Sequence, residues 1–352
     1  MSLIVHAPNI HQGGGRTLLL SVLETVASME GFALLDARLE LPSIPSKMKV
    51  ERVAPTLLRR FLAEWRLGSL AAPEDTVLCF GNLPPLLRNR ARVRVFLQNR
   101  YLFGDRDLGA FSFATRWRIR MERSWFKHRL NAKEMVVYVQ TPSMAAELLR
   151  ETGISARVFP FAPAHPRLNS GGGAREFDFV YVASGEPHKN HLQLMEAWKL
   201  LAAQGVFPSL CLTLDPAAHP QLVQDIERAV QDVGLQIVNL GKLHSSDVTR
   251  CYQRSRALIF PSTLESFGLP LIEASALGLP IVASELDYVR DVAVPVQTFD
   301  PGSPMSIARA VKRHLHQRED PPNVFSTEAF VQDILESAGA HTGATTKACV
   351  TP

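Results

Sequence analysis

The stretch PSTLESFGLPLIEASALGLPIVAS, residues 261–284, decides how this part of the chain can fold. It continues the apolar run ALIF, which is typical of a buried strand, and it closes on a second apolar run, PIVAS. Pro270 is well placed as the first residue of a helix that ends near Gly278. The stretch therefore predicts a strand, a glycine-containing loop, a helix and a further strand, the order of a parallel βαβ unit.

Two glutamates flank the predicted helix start, Glu265 in the loop and Glu273 just inside the helix. The first turn of a helix carries unpaired N–H groups and the positive end of the dipole, and Gly268 lets the backbone approach a ligand closely. Because a carboxylate beside a phosphate would be repelled, we expect each glutamate to face hydroxyl groups. A nucleotide sugar offers hydroxyls on both its sugar and its ribose. The alternative is that the two glutamates only solvate and cap the helix start.

Short apolar runs recur along the rest of the chain and alternate with helical patterns, which predicts parallel sheets. The runs are SLIVHA, FALLDA, TVLCFG, RVRVFLQN, MVVYVQT and ARVFPFA, then FDFVYVAS, SLCLTL, QIVNLG, ALIFPS and PIVAS. Residues 162–176, rich in Pro and Gly, have the composition of a linker. We therefore predict an α/β fold of two Rossmann-like domains, 1–165 and 166–325. A helix at 326–337, which could pack back on the first domain, and a disordered tail at 338–352 complete the prediction.

Composition narrows the class of protein. The net charge is only +4, but residues 49–129 hold 17 Lys and Arg against 7 Asp and Glu, which favours anionic partners in the first half. Cys79 and Cys211 lie in apolar runs and are predicted to be buried strand residues. The widely spaced cysteines indicate neither a zinc site nor a disulfide framework, and no apolar run approaches the length of a membrane span. These features predict a cytoplasmic protein, with peripheral contact at the inner face of the cytoplasmic membrane as an option.

Residues 261–284 resemble the donor-binding signature of glycosyltransferase family 4, whose members have the GT-B fold of two Rossmann-like domains facing a central cleft. The shared pattern is a PS followed by two glutamates with seven residues between them. The resemblance implies that Glu265 contacts the transferred sugar at the reacting centre and that Glu273 binds the ribose hydroxyls. It implies that sugar hydroxyls and the diphosphate are held by the backbone of Ser266, Phe267, Gly268 and Leu269.

The run YVASGEPHKNHLQLMEAW, which begins at Tyr181, carries a second feature of that family. Lys189 lies between a strand and a helix, where its charge could neutralise a departing diphosphate, and it is predicted to be catalytic. The family usually has an Arg five residues earlier, and Ser184 takes that position here. The donor phosphates are therefore expected to depend more on Lys189 and the backbone. His188 and His191 flank Lys189 and are further candidates for the phosphate region.

Residues of three further segments are predicted to bind the donor by the same resemblance. Gly14 and Gly15 belong to a glycine-rich turn that is not GxGxxG, with Asp36 only a weak candidate for the acidic residue of a dinucleotide site. Asn99, or its neighbour Gln98, lies where many family members have a His near the sugar. Leu243 would line the base pocket, although an ordinary strand-to-helix loop explains its segment equally well.

The resemblance implies a retaining glycosyltransferase that moves a hexose or deoxyhexose from a GDP- or UDP-sugar, with GDP-mannose favoured by family likeness. The expected acceptor is a glycan or a lipid-linked oligosaccharide in surface polysaccharide synthesis of the O-antigen type. No metal and no further cofactor are expected, because no HxxxH or HExxH pattern occurs. Nucleic acid is not an expected partner. A non-catalytic sugar-nucleotide-binding subunit and a GT-B sugar-nucleotide epimerase remain as alternatives.

The basic segment FATRWRIRMERSWFKHRL, residues 113–130, has apolar residues at 113, 117, 121 and 125, a spacing that predicts a helix. Two interpretations are compatible with it. The apolar stripe could face the core with a solvated basic side, or the helix could lie on an anionic membrane surface.

Overall fold

The structure, a computed structural model, describes residues 2–42, 47–87, 89–103, 108–109, 111–130, 135–163 and 175–317. Within these ranges, strands and helices alternate along the chain. The strands are β1 (Leu3–Ala7), β2 (Gly31–Asp36), β3 (Met48–Val53), β4 (Thr76–Cys79), β5 (Arg92–Phe96), β6 (Val136–Val139), β7 (Ala156–Val158), β8 (Phe177–Tyr181), β9 (Leu210–Leu212), β10 (Ile237–Asn239), β11 (Ser255–Phe260), β12 (Ile281–Ser284) and β13 (Gln297–Phe299). The helices are α1 (Gly13–Thr25), α2 (Leu57–Leu70), α3 (Phe113–Leu130), α4 (Pro142–Thr152), α5 (His191–Ala203), α6 (Pro220–Val233), α7 (Ser245–Gln253), α8 (Leu269–Ala276), α9 (Asp287–Arg290) and α10 (Pro304–His314). Two 3₁₀ turns, Arg100–Leu102 and Pro187–Lys189, complete the described elements.

The described strands form two parallel sheets. The first has the order β3-β2-β1-β4-β5-β6-β7 and the second has the order β10-β9-β8-β11-β12-β13. Each order reverses direction once, between β1 and β4 and between β8 and β11, which is the doubly wound topology of Rossmann-like domains. The predicted α/β fold with two Rossmann-like domains is confirmed.

The sequence analysis missed two of these strands, β3 and β13. Both lie at an edge of their sheet. β3 has the sequence MKVERV, in which charged residues interrupt the apolar pattern, and only its two end residues are buried. β13 is three residues long. β13, with the sequence QTF, has a single apolar residue, so neither strand carries the continuous apolar run by which the other strands were recognised.

Both sheets belong to one compact unit, Met1–His314. The first sheet spans residues 3–158 and the second spans residues 177–299. The predicted boundary between 165 and 166 lies outside the described residues, as do the predicted helix at 326–337 and the tail at 338–352. These domain limits therefore stay predictions.

The core under the first sheet includes two residues that come from the second half of the chain. Phe267 and Leu269 pack into one cluster with Val5, Ala7 and Phe80. Both are nearly inaccessible to solvent, at 5% and 9% exposure. The loop of the 261–284 stretch therefore completes the apolar core of the other sheet.

Two helices of the first half present apolar side chains to solvent. On α3, Ile119 and Phe126 are buried, whereas Phe113, Trp117 and Met121 are exposed. The interpretation of that stripe as core-facing is therefore wrong for three of its four residues, which point outward, while the fourth, Trp125, is half-buried. α2 was not predicted, and most of its large apolar residues are exposed as well. None of the helices in the described ranges is long and apolar enough to span a bilayer.

Behind α2 lies a buried pair of titratable groups, His6 on β1 and Glu64 on α2, with 3.4 Å between His6 Nε2 and Glu64 Oε1. Burial raises the pKa of Glu64 to about 7, against the opposing effects of a hydrogen bond from the Leu86 N–H and the charge of Arg129. Burial lowers the pKa of His6 to about 4. Cys79, on the neighbouring β4, is also buried, as is Cys211 on β9, and both confirm the prediction of buried strand cysteines.

We predict that Glu64→Gln gains stability relative to the parent protein as the pH rises from about 5 to about 8, by up to about 3 kcal/mol. Between its ordinary pKa of 4.5 and about 7, folded Glu64 holds a proton that the unfolded chain has released, so the free energy of unfolding falls with pH. His6 acts in the opposite sense between about pH 4 and 6.5, and it is present in both proteins. Denaturant unfolding of both proteins at the two pH values measures the difference between their free energies of unfolding. An equal difference at both pH values would show that the pKa of Glu64 is not raised in the folded protein.

Candidate active site

The topology of the second sheet places the loop that follows β8 beside the loop that follows β11. β8 and β11 are paired, and the chain order reverses between them. In open α/β sheets, ligands bind beyond the carboxyl ends of the strands at such a reversal. Lys189 follows β8 and Glu265 follows β11, so two residues 76 positions apart leave the sheet at neighbouring points.

Lys189 and Glu265 form an ion pair at this place. Lys189 Nζ donates to Glu265 Oε1 at 2.6 Å, and the side chains are 17% and 12% exposed. An ammonium has three N–H donors, so Lys189 retains the capacity to bind a further anion while it holds Glu265. The predicted catalytic residues are thus in direct contact.

A set of hydrogen bonds fixes the backbone on both sides of that pair. The Tyr181 hydroxyl donates to the Lys189 carbonyl at 2.7 Å and lies 3.0 Å from Ser262 Oγ. Asn190, which has a left-handed backbone with φ of 65°, donates its side-chain amide to the Pro261 carbonyl at 3.1 Å. Burial raises the pKa of Tyr181 well above its usual value, so its hydroxyl stays protonated and available to donate. The two loops are therefore held as one structure, which sequence patterns did not indicate.

Three helices begin near the ion pair without a side-chain cap. Their N-caps are Gln12 for α1, Asn190 for α5 and Gly268 for α8. None of the three has an acidic residue in its first turn. A Cβ placed on Gly14 would lie 3.2 Å from Leu269 Cδ1, so the start of α1 adjoins the start of α8. Uncapped helix starts leave N–H groups and positive dipole ends uncompensated, which favours an anion.

The predicted loop residues have distinct environments. Gly268 has a φ of 74°, a left-handed conformation that suits glycine, and it precedes α8, which begins at Leu269 with Pro270 as its second residue. The Ser266 carbonyl lies 3.5 Å from the Thr141 hydroxyl. Phe267 and Leu269 direct their side chains into the apolar cluster described above. A ligand at this loop would therefore meet backbone groups, as the sequence analysis expected.

Arg100 is a site residue that the sequence analysis missed. Its guanidinium donates through Nη1 to the Glu265 carbonyl at 2.9 Å. It also donates to the Glu147 carboxylate on α4, through Nε at 2.8 Å and through Nη2. The Arg100 and Glu147 side chains are only 11% and 9% exposed. The first half of the chain thus contacts the backbone of Glu265 directly. The family pattern, which has a His near this strand end, gives no indication of this contact.

Glu273 lies on α8 and accepts a hydrogen bond of 2.8 Å from the Tyr252 hydroxyl. Tyr252, at the end of α7, is 2% exposed, and burial raises the pKa of its hydroxyl well above the usual value. This bond leaves the second carboxylate oxygen of Glu273 for another donor. Sequence reasoning gave no signal for Tyr252.

Other predicted residues are less directly placed. Ser184 is exposed and donates to the Glu186 carboxylate, which is near enough to Lys189 to feel its charge. The Asn99 carboxamide oxygen accepts from the Tyr101 N–H at 3.0 Å and so caps a 3₁₀ turn. The Gln98 carboxamide adjoins Gly15, and its nitrogen has no hydrogen-bond partner among the described residues. Leu243 is half-buried in the loop before α7. Their roles toward a ligand stay predictions.

The two histidines beside Lys189 occupy different environments. The His191 ring is buried with its centroid 4.9 Å from that of Tyr181, and burial lowers its pKa to about 3. It is therefore an uncharged part of the core. His188 is half-buried, and its ring lies 6.1 Å from that of Tyr101. Burial and the charge of Lys189 lower the pKa of His188. In the part of the chain that the structure describes, no cluster of His, Cys, Asp and Glu has the makings of a metal site.

Known structures match this architecture over nearly the whole chain. Anabaena HepE, solved in complex with UDP and glucose, superposes with a TM-score of 0.65 over 97% of this chain and 100% of that protein, at 15% identity. WaaG, described as a glycosyltransferase involved in lipopolysaccharide biosynthesis, gives a TM-score of 0.64 over 90% of this chain and 91% of that protein, at 14% identity. The fold is therefore that of the GT-B glycosyltransferases.

Sequence comparison identifies the second half more closely. Residues 170–329 match the family described as glycosyl transferases group 1. The serotype-specific mannosyltransferase WbdA of Escherichia coli is 30% identical over 138 residues, which are 39% of this chain and 17% of that protein. The O-antigen chain mannosyltransferase B of Escherichia coli is 29% identical over 115 residues, 32% of this chain and 30% of that protein. The matches thus span less than a third of these relatives, and the similarity to the glycosyl transferases group 1 family lies in residues 170–329.

We predict that Arg100→Gln lowers the free energy of unfolding by about 3 kcal/mol, because it removes a guanidinium that donates twice to the buried Glu147 carboxylate. Arg290→Gln is the matched control. Arg290 also binds its partner, Glu285, through Nε and Nη2, but both side chains are 49% exposed. Its loss should cost no more than about 1 kcal/mol. Equal losses in denaturant titrations would show that Arg100 does not have the buried structural role assigned to it.

Proposed function

We propose that the protein is a retaining glycosyltransferase that moves a hexose or deoxyhexose from a GDP- or UDP-sugar to a glycan or lipid-linked acceptor in surface polysaccharide synthesis. The observation that carries the proposal is the contact between Lys189 Nζ and Glu265 Oε1 beside three uncapped helix starts. The group 1 domain at 170–329 supports transfer as the reaction class. The mannosyltransferase relatives favour GDP-mannose as the donor. We further propose that the protein acts in the cytoplasm.

The charges of the site suit a diphosphate leaving group. Lys189 and the N-termini of α1, α5 and α8 supply positive charge that is already oriented before the donor binds, which is the condition for stabilising developing negative charge at low cost. Glu265 is held by Lys189 and by the Arg100 contact to its carbonyl, so its second carboxylate oxygen is available to a sugar hydroxyl. Glu273, oriented by Tyr252, would accept from a ribose hydroxyl.

The transfer step itself needs no base from the protein in this proposal. The bond between the anomeric carbon and the donor phosphate oxygen breaks, and the bond between that carbon and the acceptor oxygen forms on the same face of the sugar. The departing phosphate takes the proton of the acceptor hydroxyl. Gln98, whose buried amide nitrogen has no partner in the described part of the chain, is a candidate to donate to the sugar, while the Asn99 oxygen already accepts from the Tyr101 N–H.

One observation favours a second candidate, a non-catalytic subunit that binds a sugar nucleotide. Where related enzymes have an Arg, this chain has Ser184, and Ser184 holds a carboxylate, Glu186, near Lys189. A carboxylate there opposes phosphate binding instead of assisting it. Binding of a sugar nucleotide without release of the nucleoside diphosphate, in the presence of candidate acceptors, would support this alternative.

We predict that Lys189→Met lowers kcat for sugar transfer by at least about 100-fold, because a preoriented charge at the leaving group is lost. Lys199→Met is the control, since Lys199 lies on the exposed face of α5 and pairs with Glu196. Release of the nucleoside diphosphate in the presence of acceptor measures the rate. Equal rates for the parent and Lys189→Met would remove Lys189 from the mechanism.

We also predict that GDP raises the melting temperature more than UDP, TDP or CMP at equal concentration. A ligand at about 100 times its Kd stabilises the folded state by about 2.7 kcal/mol, which a thermal-shift measurement resolves. Tyr252→Phe should reduce the shift, since it releases the Glu273 carboxylate. A larger shift with UDP would replace GDP-mannose by a UDP-sugar in the proposal.

A further inference from the structure

The outward face of α2 is apolar, which is the reverse of an ordinary surface helix. Ala63, Glu64 and Leu67 are buried against the sheet. Exposed on the other side are Leu57, Leu58, Phe61, Leu62 and Trp65. At 3.6 residues per turn, these five side chains occupy about 140° of the helix circumference, and no charged residue lies between them. Leu57 is 82% exposed, so the face has no covering element among the described residues.

A second outward apolar stripe lies on α3, formed by Phe113, Trp117 and Met121. The two helices are near enough for their charges to interact. The charge of Arg60 on α2 lowers the pKa of Glu122 on α3, although burial raises it overall. Arg129 of α3 donates to the carbonyls of Pro85 and Leu87, while Glu64 of α2 accepts from the N–H of Leu86 between them. Both helices are therefore anchored on the same short segment.

The exposed charges around these stripes are mostly positive, with Glu51, which lies 3.5 Å from Arg66, as an acidic neighbour. Arg59 and Arg66 border the apolar face of α2, and Arg118, Arg120 and Lys127 border the stripe of α3. Of the acidic residues of the two helices, Glu64 is 6% exposed, whereas Glu122 lies 4.0 Å from Arg118 and partly offsets its charge. The excess positive charge therefore comes from Arg59, Arg120 and Lys127. Large apolar side chains that include Trp, bordered by Arg and Lys, are the composition of a helix that lies in a membrane interface.

We propose that α2 and α3 together form a docking surface for an anionic lipid bilayer, with α2 as the inserting helix. The apolar side chains of α2 would enter the boundary between headgroups and acyl chains, and the arginines would contact lipid phosphates. The positive border disfavours a second copy of this chain, because a twofold contact would bring like charges together. The leucines of α2 disfavour RNA, since they offer no ring on which a base could stack. The proposal depends on the exposed faces of α2 and α3 and not on the donor site.

The test is flotation of the full-length protein with vesicles of phosphatidylcholine alone or mixed with phosphatidylglycerol. We expect binding to the mixed vesicles, weakened by added salt, and little binding to neutral ones. Phe61→Ser with Trp65→Ser should weaken binding at least about tenfold, because two large apolar side chains lose their burial. Arg118→Gln with Arg120→Gln should also weaken it about tenfold. All four positions are exposed, so the folded core is unaffected.

Matched controls come from the second half of the chain. Val294→Ser with Phe207→Ser removes two exposed apolar side chains, and Arg228→Gln with Arg250→Gln removes two exposed charges. Both control proteins should bind vesicles like the parent. Equal binding by the patch variants and the parent, or equal binding to neutral and anionic vesicles, would overturn the proposal.

Two other occupants would also overturn it. One is a second copy of this chain: the parent protein would self-associate and would not bind vesicles, and Phe61→Ser with Trp65→Ser would convert it to monomer. The other is RNA binding at physiological salt in the absence of vesicle binding. Sugar transfer to a soluble acceptor is measured separately, so failure of vesicle binding leaves the proposed transferase function standing, and the reverse also holds.

Discussion

The pairing of β8 with β11 is the constraint on which the site depends. The loops that follow two neighbouring parallel strands leave the sheet at the same edge. Lys189 and Glu265 therefore meet although they are far apart in the chain. Tyr181 and Asn190 then hold the two loops together through backbone carbonyls. A lysine beside a glutamate could be a simple surface pair. Here the pair is mostly buried and adjoins uncapped helix starts, which makes it suited to a charged ligand.

The first half of the chain contributes to this site by holding its geometry. Arg100 reaches the Glu265 carbonyl from the start of the 3₁₀ turn after β5, and Glu147 orients Arg100 from α4. Gly14 brings the start of α1 against the start of α8. The site is therefore built by both Rossmann-like halves. The second half carries the pair of Lys189 and Glu265, and the first half supplies contacts that hold the backbone of Glu265 in place.

The sequence predicted most of the fold because inner strands are recognisable apolar runs and the 261–284 stretch has a distinctive order of strand, loop and helix. It did not predict β3, in which charged residues interrupt the apolar pattern, or β13, which has a single apolar residue. It missed α2 because the helix carries more apolar residues on its outward face than on its buried one. Within the site, Glu265, Lys189 and Gly268 follow from local pattern. Arg100, Glu147 and Tyr252 do not, because their importance arises from contacts between residues distant in sequence.

The packing of Phe267 and Leu269 beneath the first sheet has a consequence for how the protein tolerates change. The loop before α8 cannot be regarded as an independent module, because its two apolar side chains, Phe267 and Leu269, are part of the core beneath the first sheet. Repacking around Phe80 or Ala7 in the course of evolution would be transmitted to the backbone at Gly268. Exchange of residues 170–329 between related proteins should therefore succeed only when the first domain of the recipient provides an apolar pocket that fits the side chains of Phe267 and Leu269.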